Sequence, residues 1–130
     1  MILLDTHVVL WLAQDHQRLS LKAQSAIEEA RKNEGGLAIS GITLVEVARL
    51  ASRGRIKLAP DPESFMLEVE RHFVVLPITS NIAMQAFDLA ATYPKDPVDR
   101  VIGATALIED LRLVTADGDI RQSKAVPTIW

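Results

Sequence analysis

The chain has 130 residues, 48% of them hydrophobic and 24% charged, which suits one globular domain with a continuous core and excludes a disordered or fibrous chain. A net charge of -3 at pH 7 argues against nucleic-acid binding through overall charge, so any such site has to be local. The lack of cysteine excludes a disulfide framework and a thiolate zinc site and fits a reducing, cytoplasmic setting.

The chain opens on MILL (1–4), an unbroken apolar run of the kind found in strands buried on both faces of a parallel sheet. The stretch MILLDTHVVLWLAQDHQRL has neither the basic flank nor the cleavage site of a secretory signal. No run reaches the roughly 20 apolar residues of a membrane span, so the N-terminus is expected to be part of the fold and no membrane is expected as a partner. A helical pattern follows over 20–36, from a capping Ser20 to Gly35 and Gly36. LAIS (37–40) reads as the second strand, and a helix is predicted from Thr43 to a terminating Gly54. Residues 61–72 read as helix, FVVLPI (73–78) as the third strand, and 80–92 and 96–111 as two more helices. RLVT (112–115) and PTIW (127–130) are the fourth and fifth strands. The alternation predicts an α/β fold: one domain over 1–130, with a central parallel sheet of four or five strands flanked by helices and joined by right-handed crossovers.

Acidic residues fall at telling places on that sheet. Asp5 follows the first strand and Asp117 the fourth, and ligands of such folds collect outside the carboxyl ends of the strands. Crossover helices run opposite to the strands, so their N-termini lie at the same edge; Glu46 and Asp99 are expected there, each in the first turn of a helix. Clustered carboxylates repel and raise one another's pKa values, a costly arrangement unless a cation neutralises it. Oxygen-only donors select a hard cation, Mg²⁺ or Mn²⁺.

Each acid also has a purely local reading. Thr43 and Glu46 form T-x-x-E, the pattern of a capping box. Asp5 fits the cap of a following helix, Asp117 with Gly118 fits a turn, and Asp96 with Pro97 fits a helix start that has Asp99 in its first turn. Thr6 and Thr115 adjoin cluster acids, where their hydroxyls would fix a ligand, bind phosphate or cap locally. Asp119 would either assist Asp117 or be a solvated turn residue. Arg100 would contact phosphate or pair with a cluster acid. Arg49, Arg53, Arg55 and Lys57 form a basic stripe, read as a solvated face or as a contact for RNA or an acidic partner segment. His7, His16 and His72 lack metal-ligand spacing and read as structural or exposed, and the stripes that include Trp11 and Met84 read as core.

In that order, ILLDTHVVLWL, SGITLVEVARL, DPVDRVIGATAL and LVTADGDI resemble the motifs of PIN-domain proteins, and in particular of VapC-type toxins from toxin–antitoxin pairs. The resemblance covers essentially the whole chain. It implies a Mg²⁺- or Mn²⁺-dependent endoribonuclease, often a homodimer, held inactive by a cognate VapB-type antitoxin. It places Asp5, Glu46, Asp99 and Asp117 at the family's acidic quartet, as catalytic and metal-holding residues, and it selects Asp99 over Asp96. Relatives with this D-P-x-D-R element commonly carry a histidine two residues before its first aspartate, where this chain has Pro94. The alternative is a catalytically silent PIN-like module that binds protein or RNA. A phosphoacceptor receiver domain would need an Asp after the third strand, which here ends LPITS. A haloacid-dehalogenase-type phosphatase would need an Asp at the position of His7.

Overall fold

A computed structural model describes residues 1–33 and 35–130. Strands β1 (Ile2–Leu4), β2 (Leu37–Ser40), β3 (Val74–Leu76), β4 (Leu113–Val114) and β5 (Thr128–Ile129) form one wholly parallel sheet in the order β3-β2-β1-β4-β5. Helices α1 (Thr6–Gln14), α2 (Leu21–Lys32), α3 (Gly41–Ser52), α4 (Pro62–His72), α5 (Ser80–Ala86), α6 (Pro97–Ile108) and α7 (Gly118–Ser123) surround it. The apolar runs become strands because both faces of the sheet are covered, and alternate side chains enter opposite layers. Ile2, Leu4, Leu37, Ile39 and Val114 join Val9, Ile27, Phe65 and Val69 of α1, α2 and α4 in one core. Leu3, Ala38 and Leu113 face the other way and pack with Tyr93, Ile102, Ala106 and Ile120. Polar caps start the helices as the sequence implies: Ser20 Oγ accepts from Ala23 N at 3.0 Å, and Asp61 Oδ1 from Ser64 N at 2.9 Å.

Several local expectations are corrected. The third helix begins at Gly41 instead of Thr43, because Ser40, the last residue of β2, is itself the cap and accepts from Ile42 N at 3.2 Å. The helix expected over 80–92 ends at Ala86. Ile82, Ala86, Leu89 and Tyr93 keep helical spacing, but Leu89 and Tyr93 reach the second core from a non-helical path. Met84 is 77% exposed, not core. Asp117 and Gly118 open α7, a helix of six residues, too short to show a period in the sequence. Glu34, in the helical stretch predicted over 20–36, lies outside the described residues.

The strand order creates a crevice for ligands. From β1 the chain steps to β2 and β3 on one side, whereas β4 and β5 lie on the other, so connections diverge beyond the carboxyl ends of β1 and β4. Asp5 and Asp117 flank that switch point.

Candidate active site

The β1–β4 register pairs Leu4 with Val114, so the next residues, Asp5 and Thr115, meet just past the sheet. Asp5 N donates to Val114 O at 3.0 Å. The Asp5 carboxylate, only 3% exposed, is held at both oxygens: Oδ1 accepts from Thr6 N and Oδ2 from Thr115 Oγ1, each at 2.8 Å. Thr115 Oγ1 also accepts from Asp117 N at 3.1 Å, so one hydroxyl links the two acids. Asp117 caps α7, its Oδ1 accepting from Ile120 N at 3.0 Å. Asp5 and Asp117 thus each cap a helix, as the local reading expects, and both lie just past the carboxyl ends of β1 and β4.

Asp99 lies in the first turn of α6, as expected, with Asp96 as its cap; Asp96 Oδ2 accepts from Asp99 N at 3.2 Å. The Asp99 carbonyl accepts from the buried Tyr93 hydroxyl at 2.7 Å. Burial raises the Asp99 carboxyl to about 7, helped by the negative charges of Asp5, Asp96, Asp117 and Glu46. Acids from three other segments, Asp5, Glu46 and Asp117, thus act on Asp99 at this edge. Tyr93 is raised too, by burial first and then by Asp5, Asp99 and Asp117. Glu46 sits in the second turn of α3, not the first, since that helix starts at Gly41. This removes the capping-box reading: Thr43 is buried inside the helix, its Oγ1 3.2 Å from Thr6 Oγ1. Glu46 Oε2 is shielded from water without a hydrogen bond. Arg49 Nη2 stands 3.0 Å from it, but the approach lacks hydrogen-bond geometry, so the pair is a charge contact only.

The remaining sequence candidates separate cleanly. Thr115 fixes Asp5, while the Thr6 hydroxyl is engaged with Thr43. Arg100 turns to backbone carbonyls, Nη1 to Ala86 O at 3.1 Å and Nη2 to Tyr93 O at 3.3 Å, and so braces the α5–α6 connection. Asp119 is exposed and lines a shallow cavity with Thr92, Pro94, Gln122 and Ser123. Of the basic stripe, Arg49 is drawn to Glu46, whereas Arg53, Arg55 and Lys57 are exposed. His7 is more than a surface residue: its Nε2 accepts from Ala116 N at 2.9 Å, and its ring packs on Trp11 with centroids 4.9 Å apart. Burial lowers its pKa despite the opposing fields of Asp5 and Asp117. The spacing of His7 and Trp11, one helical turn apart on α1, is the available sequence signal for that role.

The donor set fits a hard divalent cation. Glu46 Oε2 is buried and lacks a hydrogen bond, and Asp99 is raised by burial and further by negative charges that a cation would offset. Among the described residues no three acidic or histidine side chains converge tightly enough to enclose an ion. That open arrangement suits mutually repelling carboxylates and an ion such as Mg²⁺, which keeps several waters and takes few carboxylates directly. An α/β sheet with acids collected at its switch point defines a candidate metal-dependent hydrolase.

Comparison with known proteins narrows the class. Residues 2–125 match the PIN domain family. The chain is 38% identical to ribonuclease VapC22 of Mycobacterium tuberculosis, over 99% of its own length and 98% of the relative's. Its fold matches that of VapBC2 from Rickettsia felis bound to a promoter DNA fragment (TM-score 0.74, 18% identity, 98% and 97% of the two chains covered). It also matches a toxin–antitoxin complex from Klebsiella pneumoniae (TM-score 0.67, 25% identity, 97% and 95% covered). The chain belongs to the PIN-domain family and, within it, to the VapC-type ribonucleases of toxin–antitoxin systems.

Proposed function

We propose that this chain hydrolyses RNA phosphodiester bonds internally, with one or more Mg²⁺ or Mn²⁺ ions held by Asp5, Glu46, Asp99 and Asp117. The observation that carries this reading is the raised Asp99 carboxyl, on which the other three acids of the quartet all act. When bound, the ion supplies Lewis-acid polarisation of phosphoryl oxygens and acidifies water. The protein's part is preorganisation. Thr6 N and Thr115 Oγ1 lock Asp5 in one rotamer, and Thr115 Oγ1 couples it to Asp117. A cation held beside Asp99, whose carboxyl is raised to about 7 by burial first, would favour its charged form, and the Tyr93 hydroxyl anchors the Asp99 carbonyl.

The same reading assigns a toxin role and a VapB-type antitoxin as protein partner, supported by kinship with VapC proteins, some of whose solved structures are VapBC complexes. A cytoplasmic location goes with that role; among the described residues no helix is long and apolar enough to cross a membrane. Homodimerisation is supported by the exposed apolar residues Met84 and Phe87, 77% and 71% exposed, with Ile108 beside them around a cavity of about 460 Å³. The test is incubation of the purified chain with a pool of cellular RNA, with Mg²⁺, with Mn²⁺ and with chelator, followed by mapping of the cut ends. Discrete cuts that require metal are expected, and cleavage at full rate in chelator would overturn the proposal.

A further inference from the structure

Past the ends of β1 and β4, where Asp5 leads into α1, two side-chain hydrogen bonds tie residues 5–7 to residues 115–117. Asp5 pairs with Thr115 through its carboxylate, and the Ala116 amide donates to His7 Nε2 at 2.9 Å. Ala116 is the single residue between Thr115, anchored to Asp5, and Asp117, the cap of α7. A rotation of the backbone at Ala116 would swing the Asp117 carboxylate relative to Asp5, and the bond to His7 opposes that rotation. The ring is itself restrained. It packs on Trp11 at 4.9 Å, and Trp11 is backed by Trp130 at 5.9 Å and covered by the Arg18 guanidinium at 4.2 Å. Since Nε2 accepts, the neutral ring carries its proton on Nδ1, which stands 3.8 Å from Asp5 Oδ2, beyond hydrogen-bond length.

We propose that His7 is a positioning residue: by accepting the Ala116 amide it sets the separation of Asp5 and Asp117 and hence the affinity of the site for a divalent cation. The inference rests on the metal-site reading above, and it concerns the orientation of ligands by a group that does not bind the ion. Two substitutions separate its ingredients. His7→Phe keeps a ring against Trp11 and removes the acceptor, while His7→Gln removes the ring and keeps an acceptor at nearly the same reach.

The experiment is calorimetric titration of Mn²⁺ into both variants and the unsubstituted protein, alongside ¹H–¹⁵N spectra that report the Ala116 amide. His7→Phe is expected to weaken Mn²⁺ binding by about 10-fold or more and to shift the Ala116 amide, with His7→Gln within about threefold of the parent. Undiminished binding by His7→Phe overturns the inference, as does equal loss in both variants, which would assign the effect to the imidazole and not to its acceptor. Failure of the unsubstituted protein to bind Mn²⁺ at all overturns the metal site itself and the inference with it.

Discussion

Asp99→Asn tests whether burial and the neighbouring acids together disfavour a charge on Asp99 as its placement requires. The carboxyl moves from an ordinary 3.8 to about 7 on folding, a gap of roughly three pH units. At about 1.4 kcal/mol per unit the undiscounted figure is about 4 kcal/mol. Asp99 keeps contact with water at the sheet edge, and solvent screening leaves about 1–2 kcal/mol of that. Proton counting gives the sign. Between pH 4 and 7 the folded chain retains a proton that the unfolded chain releases, so stability falls as pH rises through this window, and the loss is complete above the folded pKa. An asparagine cannot charge and escapes the loss. It forgoes about 0.5 kcal/mol of interaction with the helix dipole. The variant should therefore be more stable than the parent at pH 8 by about 1 kcal/mol, a rise of about 3–5 °C in Tm for a chain of this size. At pH 5 the advantage should be smaller, and below about pH 4, where folded and unfolded parent both hold the proton, it should vanish. Thermal melts followed by circular dichroism, in chelator at these pH values, measure the difference. A variant no more stable than the parent at pH 8, or an advantage independent of pH, refutes the reasoning.

Asp96→Ala should lower stability by about 0.5–1 kcal/mol, in the lower part of the range for lost helix caps because its bond to Asp99 N is exposed and 3.2 Å long; Mn²⁺ titration should show affinity little changed. Mn²⁺ affinity of the parent should rise with pH by up to about tenfold per unit from pH 5 to 7 and level off above, because Asp99 exchanges its proton for the ion; calorimetry in buffers of different ionisation heat counts that proton. Gly103→Ala places a methyl 2.5 Å from the Tyr93 hydroxyl and should cost about 1–3 kcal/mol in denaturant melts as that hydroxyl leaves the Asp99 carbonyl.

Much of this site is legible in the sequence because the parallel sheet converts chain order into position. Asp5 is the first residue after β1 and Asp117 the third after β4, and strands of such a sheet deliver their succeeding residues to one edge. The D-P-x-D spacing also separates the two aspartates at the start of α6, with Asp96 as its cap and Asp99 in its first turn. The sequence misplaces the start of the Glu46 helix: Thr43 resembles a cap, but Ser40 already performs that function from the last position of a buried strand, which moves Glu46 to the second turn. What the sequence conceals are bonds to backbone. Arg100 looks like a phosphate ligand until its guanidinium is seen on the carbonyls of Ala86 and Tyr93. His7 looks idle because its partner is an amide 109 residues away. Side-chain types advertise charge and size, but they do not reveal which main-chain group the fold will bring to them.

One ion-binding centre built from four separate segments is the central claim, and Mn²⁺ titration of the parent beside Asp5→Asn, Glu46→Gln, Asp99→Asn and Asp117→Asn tests it most directly. The parent should show saturable binding that each substitution weakens while circular dichroism reports an unchanged fold. Binding left intact in all four folded variants, or the absence of saturable binding in the parent, would contradict it.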